Sequence, residues 1–181
     1  MYAINISKFI IAVVLVVVGA AVTSATAQSV GQSPELPPIC SALEQDRAPI
    51  FHVYAIGVQI YRWSGTSWEL VGPDAKLYAE DNYNGLVGKH YAGPTWESNS
   101  GSKIVAKKTA DCTPDTSAVA WLLLEKVTTT GPGIFAKAAF VQRVNTTGGV
   151  RPAIAGSTVG EEKRIPYTAE YYFYKSANQE N

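Results

Sequence analysis

The chain has 181 residues, 15 basic and 15 acidic side chains and zero formal net charge, with 46% hydrophobic residues. That balance, without blocks of like charge, excludes a basic nucleic-acid-binding face and a polybasic membrane patch. Beyond a leader at the N-terminus about 150 residues remain, enough for one domain with its own core.

The first stretch reads as a secretory signal over residues 1–27. A short region with one lysine, Lys8, precedes an apolar run from Phe9 to Val22, and Ala25-Thr26-Ala27 supplies a small-x-small cleavage pattern before Gln28. The competing membrane-anchor reading is weaker, because roughly 14 apolar residues fall short of the ~20 that a spanning helix needs. The expectation is a signal helix, then a secreted or periplasmic protein with no stable membrane anchor. Cys40 and Cys112 are the two cysteines. In an oxidising compartment their pairing is the better expectation over free thiols, and metal binding by two isolated thiols is poorer still. Asn145-Thr146-Thr147 matches a glycosylation acceptor, relevant only in a eukaryotic host.

Residues 28–49 are rich in Pro, Ser and Gln and read as an extended leader, with one helical turn at Cys40 to Arg47. A single all-β domain is expected over residues 50–175, then a polar tail at 176–181. Phe51 to Trp63 is aromatic and β-branched, with Gly57 expected at a bulge or kink. Ser64 to Ser67 turns the chain into Trp68 to Val71. Gly72-Pro73-Asp74 then interrupts before Ala75 to Ala79. The Asn84-Gly85 turn leads to Leu86–Tyr91, Gly93-Pro94 reverses the chain into Thr95–Glu97, and Asn99-Ser100-Gly101 into Ser102–Thr109. Trp121 to Leu124 is a continuous apolar run in which Trp121 reads as core. Ile134 to Val144 is expected as one strand, and residues 145–160 as a loop rich in Gly and Thr. Arg164 to Tyr174 places Ile165, Tyr167, Ala169, Tyr171 and Phe173 on one face, the alternation of a half-buried antiparallel strand. Short strands at regular spacing predict an antiparallel β-sandwich or flattened barrel of roughly eight to ten strands.

Dinucleotide, phosphate-loop, zinc-protease and nucleophile-elbow motifs are absent. Nothing in the sequence calls for a cofactor or a metal. Chemistry concentrates instead in Gly88-Lys-His-Tyr-Ala-Gly-Pro-Thr-Trp-Glu97, where a histidine, two aromatic rings and a carboxylate surround a Gly-Pro turn. His90 reads as a structural hydrogen-bonded residue, or as a general base or metal ligand. Glu97 reads as a desolvated acid or as the salt-bridge partner of Arg62 or Arg143. Trp96, Tyr91 and Trp68 form either core packing or a platform for a flat ligand. Arg143 pairs with a buried carboxylate or binds an anion, the former being the safer expectation. Carboxylates at Glu69, Asp74, Glu80, Asp81 and Glu97 show no spacing that favours glycoside hydrolysis.

The run Gly57-Val-Gln-Ile-Tyr-Arg62, Trp68 with Gly72 to Tyr78, and His90 to Glu97 with Gly101-Ser102 then resemble one family. Ala120-Trp-Leu-Leu-Leu124, Val141-Gln-Arg-Val-Asn-Thr146 with Gly148-Gly149, and Ile165 to Tyr174 continue the match in order. The family is the domain-of-unknown-function 3455 family (DUF3455). The resemblance implies an exported protein of bacteria or fungi, with no activity attached to the domain as a class. Members usually carry Cys after the Gln-Ile-Tyr-Arg run and again after the Gly-Gly-x-x-Pro stretch. Trp63 holds the first place here and the loop has no second cysteine, which implies that Trp63 lies near Ala155 to Ser157 and fills the space of a lost bridge.

The leading expectation is a binding or interaction module whose ligand-binding residues are His90, Tyr91, Trp96, Glu97, Arg62 and Arg143. Its partner would be a small molecule, glycan or protein. The alternatives are a hydrolase using Glu97 and His90 as acid and base, or a purely structural envelope protein.

Overall fold

A computed structural model describes residues 31–176; the expected signal helix and most of the polar tail lie outside them. Eight strands follow in chain order: β1 (Phe51–Trp63), β2 (Trp68–Tyr78), β3 (Leu86–Tyr91), β4 (Thr95–Ser98), β5 (Lys103–Cys112), β6 (Trp121–Thr130), β7 (Phe140–Gly148) and β8 (Glu162–Tyr174). Each pairs antiparallel with its sequence neighbours, and β1 pairs with β8 from Phe51↔Phe173 to Arg62↔Glu162, closing a single barrel. The all-β expectation holds, in its barrel form rather than as two packed sheets. Closure leaves no edge strand to seek a partner.

Alternation along the strands decides what faces in. Val53, Ala55, Ala75, Leu77, Trp96, Ile104, Leu124, Val141, Tyr167, Ala169, Tyr171 and Phe173 fill the interior. An eight-stranded barrel is just wide enough for side chains to fill it or to hold one small ligand. Gly57 is no bulge: a Cβ there would lie 2.2 Å from the Asp74 carbonyl oxygen, so its role is close strand approach. The bulge falls between Ile60 and Tyr61, where Val71 is the extra residue on β2.

Three boundaries differ most from expectation. β2 runs unbroken through Gly72-Pro73-Asp74, because β3 pairing ends at Asp74↔Tyr91 and Pro73 has a strand neighbour only on the β1 side. A missing N–H is tolerated there. Ile134–Lys137 form a 3-10 turn instead of the start of a strand, which drops Phe135 into one end of the barrel. β7 then extends to Gly148, across a bulge between Val144 and Thr147 where Asn145 takes a φ of 50°.

The leader packs against the outside of the wall. Its 3-10 turn, Pro38–Leu43, buries Cys40 and Leu43 beneath Leu36, with Ala110, Trp121 and Leu123 alongside. Trp121 therefore packs under the leader, not inside the barrel. The expected Cys40–Cys112 disulfide is formed across 72 residues of chain. Gln142 Nε2 donates to the Leu43 carbonyl at 2.7 Å, and the Tyr174 hydroxyl donates to Gln142 Oε1, fixing the turn to β7 and β8.

Candidate functional site

The β3–β4 hairpin turns at Gly93, whose φ of 90° suits glycine. Its register pairs Lys89 with Glu97, His90 with Trp96 and Tyr91 with Thr95. With a side-chain period of two, this register sends His90 and Trp96 inward and Lys89, Tyr91 and Glu97 outward. The barrel wall thus separates His90 from Glu97. No acid–base pair is assembled from them, and the aromatic platform is not built: Trp96 is inside, Tyr91 outside, and Trp68 is held elsewhere by its Nε1–H on the Ile154 carbonyl at 2.8 Å.

On the inner side, His90 is only 3% exposed and stacks on Trp96 with ring centroids 4.2 Å apart. Tyr171 meets both rings edge-on. His90 Nδ1 lies 2.8 Å from the Thr95 carbonyl, which can only accept, so Nδ1 carries the proton. Burial lowers its pKa to about 3, the Thr95 carbonyl opposes this, and the positive charge of Arg143 lowers it further. His90 is a neutral member of the core at neutral pH.

On the outer side, Glu97 accepts from the Tyr91 hydroxyl at 2.8 Å and lies 3.5 Å from both Lys89 and Lys103. The Tyr91 hydrogen bond, with help from the two ammonium groups, lowers its pKa. The expectation of a raised, acid-competent carboxyl is therefore overturned. Its partners are these lysines, neither Arg62 nor Arg143.

Arg62 is outside, with Nε and Nη2 on Glu162 Oε1 at 3.1 and 2.7 Å. Arg143 lies on the inward face of β7 and pairs with no carboxylate among the described residues. Its Nε and Nη2 donate to the Ala120 carbonyl at 3.0 and 2.7 Å. Of the six residues expected to bind a ligand, the structure brings His90, Trp96 and Arg143 to the interior and leaves Tyr91, Glu97 and Arg62 outside. Among the described residues, no group of three or more His, Cys, Asp and Glu gathers to hold a metal.

The sequence reading missed an open recess of about 730 Å³ at the barrel end where β1 begins. Ile50, Phe51, Val53, Val87 and Ile134 line it, together with His52, Lys137 and Lys175. It is assembled from β1, β3, the 3-10 turn and the segment after β8, so no local motif announces it.

The family described as "Protein of unknown function (DUF3455)" matches residues 44–175. The chain belongs to the DUF3455 family. No curated protein and no solved structure matches it. Against the DUF3455 pattern, the departure at Trp63 has the implied consequence: Gly156 packs on that ring, and a Cβ at 156 would come within 2.5 Å of Trp63 Cγ. The indole also tilts against Trp68 at 5.4 Å. In this DUF3455 member a ring joins β1 to the loop before β8.

Proposed function

We propose that the protein is a non-catalytic binding module that takes an apolar ligand carrying an anionic head into the recess at the start of β1. The recess itself carries this reading, being open, lined mainly by aliphatic and aromatic side chains with His52 and two lysines among them, and of a volume usual for small-molecule sites. Such a lining favours a hydrocarbon body over a carbohydrate, whose hydroxyls need polar partners. Lys137 and Lys175 have no ion-pair partner among the described residues, which supports a carboxylate beside them. The disulfide supports residence in an oxidising compartment, secreted or periplasmic. Among the described residues no helix is long and apolar enough to cross a membrane.

Calorimetric titration with a series of straight-chain carboxylates tests this. Each methylene entering the recess contributes roughly 0.8 kcal/mol, so affinity rises about fourfold per carbon until the recess is full. The matching alcohols bind more weakly, and Ile134→Glu, a change at an exposed position, weakens binding at least tenfold without lowering the melting midpoint. Absence of saturable binding across the series, or equal binding by Ile134→Glu, sinks the reading.

A further inference from the structure

The opposite end of the barrel holds a positive charge and a donor group without an acceptor. Gln59, in phase with Val53 and Ala55 on the inward face of β1, is 1% exposed, and its Nε2 has no hydrogen-bond partner among the described residues. Its Cγ lies where a Cβ on Gly149 would touch it at 3.0 Å, beside Tyr167 Cβ. The Tyr61 hydroxyl donates to the Gly149 carbonyl at 2.8 Å, closing the same end. Arg143 faces these groups from β7. It interacts with the Tyr171 hydroxyl and acts electrostatically on Tyr61, Tyr167 and His90.

The phenols and the imidazole among these neighbours are neutral at pH 7, and two further charges act here, Arg151 on Tyr61 and Asp74 on Tyr167. Burial pushes the phenols of Tyr61, Tyr167 and Tyr171 upward and the imidazole of His90 downward. The guanidinium has no carboxylate partner among the described residues. The Ala120 carbonyl satisfies two of its five N–H groups and none of its charge. A partly buried cation is stable when an opposite charge meets it, and a buried amide N–H when an acceptor does. One species satisfies both: a small oxygen-bearing anion. Arg143 is suited to it, since its planar fork matches two oxygens at once.

We propose that this end of the barrel, walled by Gln59, Tyr61, Arg143 and Tyr167, binds a small oxyanion between the Arg143 guanidinium and the Gln59 amide. A carboxylate and an inorganic phosphate or sulfate share that chemistry. This site lies apart from the recess and does not depend on it.

Thermal unfolding and calorimetry of the purified protein decide the matter, with sodium acetate, phosphate and sulfate each compared against sodium chloride at matched ionic strength. At least one oxyanion raises the midpoint by several degrees at saturation where chloride does not, and the arm that responds identifies the anion. Gln59→Leu, which removes the orphan donor and keeps the volume, weakens binding about tenfold, the loss of one hydrogen bond to a charged group. Arg143→Met abolishes binding; where that variant fails to fold, Gln59→Leu carries the test. No response of the wild type to any oxyanion overturns the proposal. So does a response that Gln59→Leu retains in full, which means an adventitious surface ion only.

Discussion

At the scale of single residues, His90 shows how a reactive side chain becomes architecture. Its ring is buried between Trp96 and Tyr171, and its Nδ1–H donates to the Thr95 carbonyl. The folded-state pKa of about 3 lies below the unfolded value of 6.5. Between those values the unfolded chain binds a proton that the folded chain refuses, so stability rises with pH through this window and is lost as pH falls toward 3. The loss attributable to His90 between pH 7 and pH 4.5 is roughly 2 to 3 kcal/mol. His90→Phe keeps a ring against Trp96 and removes the titration. It is expected to be less stable than wild type at pH 7, by about 1 kcal/mol for the lost hydrogen bond, and more stable at pH 4.5. Urea unfolding at both values measures this, and parallel pH profiles contradict it. His52 titrates in the same direction through burial but is common to both proteins and cancels. The split between His90 and Glu97 was not legible in the sequence: a two-residue turn at Gly93-Pro94 would set residue 90 opposite 97, whereas the observed three-residue turn, Ala92 to Pro94, sets 90 opposite 96 and puts 97 on the other face. The motif invites attention to residue types, whereas register decides which of them meet.

At the scale of elements, turn chemistry and alternation located most strands, because those signals are local. They failed where an element depends on a distant neighbour. Pro73 reads as a break, yet lies in a strand because β3 has already ended beside it. Ile134 to Lys137 reads as strand, yet turns so that Phe135 can meet Phe51 and Phe173 at 5.6 and 5.1 Å. The contact between β1 and the loop before β8 is the reverse case, visible through a missing cysteine pair. Its energetics are testable in a double-mutant cycle. Gly156→Ala drives a methyl into the base of the Trp63 ring, with no flexible end to give way. The expected cost is about 1–3 kcal/mol by equilibrium unfolding. In a Trp63→Ala background the space is open and the same substitution costs close to nothing. An unchanged cost in that background means that the strain arises elsewhere.

At the scale of the whole molecule, closure was the feature that local signals left undetermined. A sandwich and a barrel share the same alternation along each strand and differ in which distant strands pair. Here the decisive pairing joins β1 to β8, the two ends of the domain, and β8 also sends Tyr167, Ala169, Tyr171 and Phe173 into the core. The recess and the Arg143 end both exist only once that seam has formed, since β1 contributes to both. Removing β8 exposes β1 and β7 as unpaired edges and empties one side of the core together, so no partial barrel retains either site. A chain ended at Gly160 is therefore expected to show no cooperative thermal transition and to bind a hydrophobic dye. A synthetic peptide of residues 161–176 supplied in trans is expected to restore amide-exchange protection in β1 and β7 together, with slow association because the pairing is non-local. Protection returning in β7 alone, or a truncated chain that melts like the intact protein, contradicts closure as the source of cooperativity.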